Sequence, residues 1–451
     1  MNSNRNCNGN HFDVLIVGGG IFGISTAYHL ALSLSSNQYG NDAVSRIAIL
    51  DRGPAPSPLA ASSDINKVVR ADYSKRFYME LAYEALAAWQ TTEWLLPFFH
   101  QTGWVMLNEK GSDLAPRIRS NIRASGHPDT AEDISLLEVK TRWGGVFAGV
   151  DTTGFDSAYT NSAAGWADGS GALQAMASKA VQLGVQYIVG EATSLLLQRG
   201  GGGTNNIRGV STQDGRELTA AKVLLATGPW TPWLMAPLEA SLSIAASDSM
   251  TTQMQCAGVC VAAFQLTAAE AEHYSQMPVF IYGAKGEVMP PPKRQQQPHR
   301  LLKFTNAHTV LNTQRHPSCK RDISVPAQDQ ANVPRRLQEQ CIDLIKQRMP
   351  DMLAQGRLPD KWRLCWDAVS GDQNMLITQH PDDRLSNLYL ATAGSFHSWK
   401  FLPTIGKYVV NVLEARSNGP EHDAAWAWKT SWADRGAHEK AIPRGELRDF
   451  E

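Results

Sequence analysis

The sequence contains few cysteines, and their spacing follows no known pattern. The six cysteines, at positions 7, 256, 260, 319, 341 and 365, have neither the spacing of a zinc site nor that of a disulfide framework. We therefore predict no metal site and expect reduced thiols. Long apolar runs are also missing. No stretch approaches the length that crosses a bilayer, so no membrane span is expected.

An excess of charge of one sign is a third absence. Lysine and arginine number 42 against 43 aspartates and glutamates, which gives a formal net charge of −1. This balance produces no overall field that would attract nucleic acid or an anionic membrane. The most basic stretch, residues 292–300, is rich in proline and glutamine and is typical of a surface loop. We expect neither a nucleic-acid partner nor a membrane partner.

The chain is long enough for more than one compact core. Its 451 residues are 43% hydrophobic and 19% charged, an ordinary globular composition, and we expect two domains. The first seven residues, MNSNRNC, contain no apolar signal core, and the last four, RDFE, contain no peroxisomal address. We therefore expect a cytoplasmic protein, and we expect it to be a monomer.

A glycine-rich motif near the N-terminus is the most informative feature. An apolar run at residues 14–17 predicts a buried parallel strand, and a helical pattern covers residues 24–34. Between them, Gly18 allows a tight turn, Gly20 lets the backbone approach a pyrophosphate, and Gly23 lets the helix pack closely on the strand. The helix N-terminus then faces the phosphates. With a strand before it and a helix after it, the motif predicts a dinucleotide site.

A second strand, at residues 46–51, completes this motif. It ends in Asp51, the acid that such sites use to hold a ribose. The alternative is a solvated carboxylate at the end of a strand. Ile21, Phe22 and Arg52 adjoin these positions, and we expect them to contact the same cofactor.

The chain returns to the nucleotide-binding sheet twice. Residues 222–230, LLATGPW at their end, and residues 388–394 each predict an apolar strand followed by small residues that leave room for a cofactor. Gly228 belongs to the first of these turns. A helical pattern follows at residues 405–414. The stretches between the returns alternate in polarity over short segments, which predicts a second, mostly antiparallel domain.

Several segments, taken in order, resemble one known family. They are GGGIFG, the Asp51 strand, residues 62–73, LLATGPW, residues 363–367 (RLCWD) and residues 395–406 (SFHSWKFLPTIG). This order is similar to that of FAD-dependent amine oxidases of the sarcosine oxidase/pipecolate oxidase group, and most of all to fungal fructosyl amino acid oxidases, the amadoriases. The resemblance implies an α/β fold in which a doubly wound parallel sheet of the glutathione-reductase type binds FAD and a mostly antiparallel sheet forms the catalytic domain.

The resemblance also implies how the domains divide. We expect a discontinuous FAD-binding domain made of residues 1–99, 161–240 and 359–451. Residues 100–160 and 241–358 are expected to form the substrate-binding, catalytic domain.

Cys365 matches the cysteine that tethers the flavin ring in this family. A thioether to the ring requires a cysteine beside bound flavin. The alternative is a buried structural cysteine, which is the usual state of a free cysteine. Asp367, two residues on, is expected to contact the cofactor.

Basic residues in two segments match family positions near the flavin. Lys303 aligns with the lysine that activates oxygen, where a cation stabilises the negative charge that develops on O2. Successive side chains of a strand point to opposite faces, so Lys303 points away from Leu302 and Phe304, either into a cavity or into solvent. Lys67 and Arg70 match two basic residues near the flavin ring; the alternative for them is a surface pair at the start of a helix.

Other residues of these segments have weaker assignments. The resemblance implies that Ser62 and Ser63 hydrogen-bond FAD phosphates. His308 and His397 are second-rank candidates for tuning the amine or the flavin, and each is as readily explained as a packing histidine. Phe396 is expected to lie beside the flavin.

Lys400 matches the lysine that binds the carboxylate of amino acid substrates in this family. Around it the sequence departs from the commoner Ser-Gly-His-Gly-Phe-Lys pattern, because Phe396, Ser398 and Trp399 add bulk and aromatic surface. A fructosyl substrate is therefore in doubt, and an aromatic N-alkyl amino acid or a metabolite derived from one would fit better.

The resulting functional expectation is the oxidation of a secondary amine to an imine, with O2 reduced to H2O2 and the imine hydrolysed or trapped within the molecule. The alternatives are a deglycating fructosyl amino acid oxidase and a flavin amine dehydrogenase that uses another acceptor. A non-catalytic flavoprotein is a third alternative. The expected partners are a small amine and O2.

Overall fold

The computed structural model describes residues 11–36, 43–199, 205–292, 300–430 and 445–451. Most of the basic loop predicted at 292–300 lies outside this part, as does Cys7. Among the described residues, no helix has the length and apolar character to cross a membrane. Nor do they contain three or more His, Cys, Asp or Glu side chains grouped to bind a metal ion.

The chain forms 21 strands among the described residues. The strands are β1 (His11–Val17), β2 (Ile47–Asp51), β3 (Asn66–Val69), β4 (Phe99–His100), β5 (Trp104–Glu109), β6 (Ala131–Ile134), β7 (Phe155–Asn161), β8 (Gly165–Asp168), β9 (Gln186–Val189), β10 (Ala192–Arg199), β11 (Asn205–Thr212), β12 (Glu217–Leu225), β13 (Gln255–Gln265), β14 (Val279–Tyr282), β15 (Glu287–Met289), β16 (Leu301–Val310), β17 (Thr313–Arg315), β18 (Asp322–Ser324), β19 (Lys361–Val369), β20 (Leu376–Gln379) and β21 (Leu388–Thr392).

The helices are amphipathic or buried elements that cover these strands. They are α1 (Ile21–Ser36), α2 (Arg76–Thr91), α3 (Leu114–Ala124), α4 (Leu136–Thr141), α5 (Gly169–Gln182), α6 (Thr231–Ser241), α7 (Met250–Gln253), α8 (Ala268–Tyr274), α9 (Arg335–Arg348), α10 (Ile405–Leu413) and α11 (Pro420–Trp426).

The first sheet has a parallel centre. β1 pairs in parallel with β2 and β12, β2 with β9, and β12 with β21. The hairpin of β10 and β11 extends it on one side, and β20 pairs antiparallel with β21. Leu15 and Ile16 of β1 point to opposite faces and are both fully buried, as expected for a strand covered on both sides. The strands predicted at 14–17, 46–51, 222–230 and 388–394 all belong to this sheet.

Close packing of α1 against the end of β1 holds the glycine motif in place. A Cβ on Gly23 would lie 1.9 Å from the Gly18 carbonyl oxygen, so only glycine lets α1 lie this close to β1. Gly18 has φ +110°, and a Cβ there would lie 2.3 Å from the Ala226 oxygen of the neighbouring strand end. These contacts are the turn and the helix–strand packing that the sequence predicted.

The second sheet is mostly antiparallel. Its order is β19, β13, β16, β15, β14, β5, β7 and β6, and only β14 and β5 among these described strands run parallel. Its far face buries aromatic side chains, among them Phe264, Phe280, Phe304 and Trp366. β19 belongs here because it pairs with β13. The predicted boundary at residue 359 instead assigned β19 to the FAD-binding part, so the sheets divide the chain differently at this point.

A small third sheet lies between the two large ones. β8 pairs antiparallel with both β3 and β4. Lys67 therefore sits on a strand, and Arg70 follows directly after it. The alternative that placed this pair at a surface helix start is wrong, because the segment pairs with β8 and α2 begins later, at Arg76.

Candidate active site

A large cavity lies between the two main sheets and extends to the glycine motif. Its volume is about 680 Å³. Most of the predicted site residues line it. They are Gly18, Gly20, Ile21, Phe22, Asp51, Arg52, Ser62, Lys67, Arg70, Gly228, Lys303, Cys365, Asp367, Phe396, His397 and Lys400.

The nucleotide end of the cavity is built from strand ends and the start of α1. Asp51 ends β2, and its carboxylate accepts a hydrogen bond from the Gly19 N–H at 2.6 Å. The Arg52 guanidinium lies 4.5 Å from the centre of the Trp230 ring, which fixes it beside the cavity. A helix N-terminus with an acid at the next strand end suits a dinucleotide.

The loop that follows β2 closes over this end. Ser62 is buried, and its hydroxyl accepts the Ile21 N–H at 3.2 Å. Arg363 holds the loop from behind by donating to the carbonyl oxygens of Ser63 (2.6 Å), Ala60 (3.0 Å) and Pro58 (3.3 Å). Ser63 does not line the cavity; its hydroxyl faces that of Ser170 at 3.4 Å. The expectation that Ser63 contacts phosphate is therefore not supported, whereas Ser62 faces the cavity.

One face of β19 points into the cavity. Cys365 and Asp367 alternate along the strand with buried residues of the opposite face, so both side chains line the cavity. The Asp367 carboxylate accepts the Phe396 N–H at 2.6 Å and the Ala368 N–H at 2.8 Å. Burial raises the pKa of Asp367, although these two hydrogen bonds and the Lys67 charge oppose the rise. Cys365 is nearly buried, with 8% of its surface exposed.

A buried carboxylate joins two of the predicted lysines. Asp64 lies 2.9 Å from the Lys303 Nζ and 2.9 Å from the Lys67 Nζ, and Lys303 also donates to the Asn66 carbonyl oxygen at 2.7 Å. Burial alone would raise the pKa of Asp64, but the Lys303 and Lys67 charges outweigh it and hold the pKa well below its usual range. Burial likewise opposes the charge on Lys67, but Asp64 raises the pKa of Lys67 above its usual value.

Arg70 lies between two aromatic rings. Its guanidinium carbon is 4.7 Å from the Tyr73 ring centre and 4.5 Å from that of Trp104, and it donates to the Asp72 carbonyl oxygen. The Asp72 carboxylate is engaged by the Trp104 N–H at 3.2 Å and by the Asn161 amide at 3.1 Å. Among the described residues, Arg70 makes no ion pair with a carboxylate side chain. Arg70 also lines the cavity.

Lys400 lies in a polar cluster made of neutral groups. It is 5% exposed, and its Nζ donates to the Tyr73 hydroxyl at 2.8 Å and to the His397 carbonyl oxygen at 2.6 Å. Burial, and then the nearby Arg70 charge, lower the pKa of Lys400 well below its usual range. Burial also raises the pKa of Tyr73 above its usual range, so that Tyr73 remains a neutral phenol.

The loop before Lys400 has an unusual backbone. Ala393, Ser395 and Phe396 all have positive φ, at 59°, 50° and 61°. Such angles are costly for residues with side chains and occur most often at functional sites. Phe396 is 36% exposed at the cavity, whereas Trp399 stacks on Trp89 with ring centres 5.5 Å apart. Trp399 therefore supports the loop, and Phe396 supplies most of the added exposed aromatic surface.

Besides Ser63, two predicted residues do not reach the cavity. Gly23 acts through packing, as described above. His308 lies on the opposite face of β16, where its ring meets that of Phe450 with centres 5.2 Å apart. The cavity face of β16 consists of Lys303, Thr305, Ala307 and Thr309. The assignment of His308 to the site is wrong because side chains alternate along a strand, and that alternation could have excluded it.

Sequence reasoning missed several polar residues of the cavity wall, among them Asp64, Asn66, Asp72 and Tyr73. The Asn66 side-chain oxygen is buried and, among the described residues, accepts no hydrogen bond, while its amide donates to the Pro290 oxygen at 2.8 Å. A buried acceptor facing a cavity calls for a ligand that donates. Together with the helix N-terminus and Asp51, it shows that the wall fits a large polar cofactor such as FAD.

Comparison with known proteins identifies the family. The model of the FAD-dependent oxidoreductase family, DAO, matches residues 13–412. This chain belongs to that family. The fold and the cofactor class expected from the resemblance are therefore confirmed.

Relatives of this FAD-dependent oxidoreductase are oxidases. It is 27% identical over 438 residues to L-saccharopine oxidase of Schizosaccharomyces pombe, which covers 93% of this chain and 92% of that protein. It is 23% identical over 468 residues to an amino acid oxidase of Aspergillus flavus, covering 90% and 93%. These two full-length matches extend over both sheets.

Solved structures share the fold. Amadoriase II, a fructosamine oxidase of Aspergillus fumigatus, superposes with a TM-score of 0.79 at 23% identity and covers 98% of this chain and 97% of that one. A modified fructosyl peptide oxidase of Aspergillus nidulans gives 0.80 at 26% identity, covering 98% and 99%. Both solved structures thus share the overall fold of this chain.

Proposed function

We propose that this chain oxidises the secondary amine of an N-substituted amino acid to an imine and reduces O2 to H2O2. The amine loses two protons and two electrons, which reappear with O2 as one peroxide molecule. FAD, when bound, supplies the redox chemistry by passing the electrons from the amine to oxygen. Water then hydrolyses the imine, or a nucleophile of the same molecule traps it.

The observation that carries this proposal is the cavity position of Arg70. Its guanidinium is fixed between Tyr73 and Trp104, and although its charge acts on the nearby Asp72 carboxylate, among the described residues its side-chain nitrogens donate to the Asp72 carbonyl oxygen and not to a carboxylate. A planar cation held in this way is suited to bind a substrate carboxylate through two hydrogen bonds. The amine next to that carboxylate would then lie on the side of Lys400.

Lys303 in the cavity wall supports the oxygen half of the reaction. Lys303 is 3% exposed and is anchored by Asp64 and the Asn66 carbonyl oxygen. A fixed cation in a water-poor cavity stabilises negative charge as it develops on oxygen. This function for Lys303 disfavours the alternative of an amine dehydrogenase that passes its electrons to another acceptor.

We further propose that Cys365 carries the FAD as a thioether. Its position in the cavity wall, beside Lys67 and Asp367, supports this. The test is acid precipitation of purified protein. Yellow colour should stay with the pellet and should be lost from the pellet in Cys365→Ala, while Cys341→Ala, at a buried cysteine outside the cavity, should keep it. Colour that stays in the supernatant of the unmodified protein would contradict the tether.

The substrate is best sought among N-substituted amino acids. Saccharopine is one of these, and so are pipecolate, sarcosine and N-methyl-tyrosine; fructosyl-valine represents the deglycating alternative. The cavity wall near Arg70 includes the apolar side chains of Met106, Leu114, Ile118 and Ile281. These residues offer few hydrogen-bonding groups to a sugar and favour an apolar substituent.

A peroxide assay across these five amines tests the function. We expect peroxide from at least one amino acid with an apolar or carboxyalkyl substituent, at a higher kcat/KM than from fructosyl-valine. Arg70→Met should raise KM for that substrate far more than it lowers the rate at saturation. A higher kcat/KM for fructosyl-valine would favour the deglycating alternative, and absence of peroxide with all five would contradict the proposal.

A further inference from the structure

Two uncharged oxygens accept hydrogen bonds from Lys400, and an uncharged amine can satisfy both of them. Its Nζ donates to the Tyr73 hydroxyl at 2.8 Å and to the His397 carbonyl oxygen at 2.6 Å. A neutral amine has two N–H donors and one lone pair, whereas an ammonium has three donors and no acceptor. The two donors are accounted for by these two oxygens. A third donor would need another partner, but a lone pair would be available to a ligand in the cavity.

The groups around Lys400 fix the direction of each hydrogen bond. The His397 Nε2 lies 2.9 Å from the Gln373 carbonyl oxygen, which can only accept, so Nε2 carries the ring proton. In the neutral imidazole the Nδ1 is then an acceptor, and the Tyr73 hydroxyl donates either to it, at 3.3 Å, or to the His397 carbonyl oxygen, at 3.4 Å. The Tyr73 oxygen therefore has its lone pairs free to accept the Lys400 N–H. In this chain of bonds no member is an anion.

The side chains around Lys400 also disfavour its positively charged form. Tyr73 and His397 face the amine directly, and Tyr78 packs against His397 with ring centres 4.8 Å apart. Arg70 contributes a positive charge nearby. The Tyr73 and Phe401 rings, whose centres are 5.2 and 5.4 Å from the Nζ, favour a cation only weakly compared with the loss of water. Among the described residues no carboxylate pairs with Lys400, in contrast to Lys67 and Lys303.

We propose that Lys400 is the general base of the reaction and takes the proton of the substrate's ammonium group before the C–H bond breaks. The inference rests on the proposed amine oxidation and adds a role that the family resemblance, which implies a carboxylate anchor, does not include. Secondary amines are mostly protonated at neutral pH, and only the neutral amine has the lone pair that drives loss of the adjacent hydrogen. The proton moves from the substrate nitrogen to the Lys400 Nζ, and no other bond changes.

The transfer fits the rest of the cavity. The lysine becomes an ammonium beside the substrate carboxylate that Arg70 holds, so a positive charge forms where a negative charge has just been bound. Desolvation thereby favours the neutral lysine in the free enzyme, and the bound carboxylate favours its protonated form. A base whose pKa is adjusted in this way is typical of general acid–base catalysis.

The first test measures the charge of Lys400 without any reaction. Capillary electrophoresis at about pH 8 compares the FAD-bound protein with Lys400→Met. Because the lysine is neutral, we expect the two mobilities to agree within error, whereas the control Lys361→Met, at an exposed lysine, should lose one positive charge. A shift for Lys400→Met as large as that of the control would overturn the inference.

The second test separates a base from an anchor. Anaerobic mixing with the best of the five amines follows the loss of flavin colour between about pH 6 and 9. We expect the Lys400→Met rate constant to be about 100-fold lower near neutral pH and to rise about tenfold per pH unit, because only free neutral amine then reacts. The unmodified enzyme should change little over this range.

Lys400→Arg provides the decisive contrast. Arginine keeps a positive charge for a carboxylate but cannot take up a proton in this range. If Lys400 is the general base, the rate constant of Lys400→Arg should depend on pH as steeply as that of Lys400→Met, even where Lys400→Arg binds the substrate with near-normal affinity. A Lys400→Arg enzyme with a flat pH profile and a near-normal rate would refute the base and leave amine oxidation in place. Failure of all five amines to bleach the unmodified enzyme would remove both proposals.

Discussion

The cavity contains two buried lysines in opposite kinds of surroundings. Lys303 is 3% exposed on the regular strand β16 and contacts the carboxylate of Asp64. Lys400 is 5% exposed, follows a loop with strained φ angles, and contacts a phenol and a carbonyl oxygen. Burial is nearly equal, so the partners decide the charge. On our proposals one residue type thereby serves two tasks: a cation for oxygen and an uncharged base for the amine.

Removing the shared carboxylate is the strongest way to break this comparison. Asp64→Asn leaves Lys303 and Lys67 buried without a counter-charge, and we expect the free energy of unfolding to fall by about 3–5 kcal/mol. Urea denaturation at neutral pH measures it. The matched control is Glu339→Gln, which removes the exposed ion pair with Arg335 and should cost less than about 0.5 kcal/mol.

The pH dependence of this effect has a definite sign. The folded-state pKa of Asp64 is depressed, so its contribution is present above the unfolded pKa, about 3.9, and is lost as pH falls through the folded value. The gap between the unmodified protein and Asp64→Asn should therefore narrow only in strong acid. A gap that closes already near neutral pH would show that Asp64 is not ionised in the folded protein.

Lys303→Met tests the cationic half of the comparison. We expect the reaction with oxygen to slow about 100-fold, roughly 2.7 kcal/mol in the barrier, while anaerobic loss of flavin colour keeps its rate. Stopped-flow mixing of amine-reduced enzyme with oxygenated buffer measures the return of colour. Unchanged recolouring would assign Lys303 a purely structural role with Asp64.

The two kinds of lysine predict opposite pH trends in stability. The pKa of Lys67 is raised, so its contribution persists up to about pH 10.4, the unfolded value, and is lost only above it. The pKa of Lys400 is lowered, so the unfolded chain binds a proton that the folded protein does not, and stability rises with pH toward about 10.4.

Urea denaturation from about pH 8 to 10 checks this contrast. Lys67→Met should be less stable than the unmodified protein by a nearly constant amount. Lys400→Met should be more stable at about pH 8, by a margin that shrinks by at most about 1.4 kcal/mol per pH unit as pH rises. Parallel curves for the two variants would show that the lysines share one charge state.

The smallest expected effect concerns the backbone of the Lys400 loop. Phe396 has φ 61°, and glycine there would relieve about 1–2 kcal/mol of strain and lose about 0.5–1 kcal/mol through chain entropy. Because Phe396 is only 36% exposed, loss of the buried part of its ring offsets the relief of strain, and we expect Phe396→Gly to change the free energy of unfolding by less than about 1 kcal/mol, measured by thermal and urea unfolding. Destabilisation above about 1 kcal/mol would mean that the ring packs more tightly than its exposure indicates.

Local patterns predicted much of the fold and part of the site. The glycine motif, Asp51 and the two returning strands depend on sequence-local rules of strand, turn and helix, and the structure follows them. Alternation left two directions open for Lys303, into a cavity or into solvent, and only the packing of β16 between β13 and β15 resolves them. The ion pairs of Asp64 could not be foreseen, because Lys303 lies 239 residues away along the chain.

The charge of Lys400 was equally inaccessible from the sequence. A match to a family motif gives the residue type but not the number of oxygen atoms that accept from its amine. The placement of β19 in the second sheet was missed because its apolar pattern suits either sheet, and pairing with β13 settles it. Such contacts join residues that lie far apart in the sequence, so local patterns do not predict them.

A single double-mixing experiment tests the account most directly. Enzyme is mixed anaerobically with its amine until flavin colour is lost, and the product is then mixed with oxygen. We predict that Lys400→Met slows only the loss of colour and that Lys303→Met slows only its return. If both substitutions slow the same step, or if no secondary amine removes the colour of the unmodified enzyme, the account is contradicted.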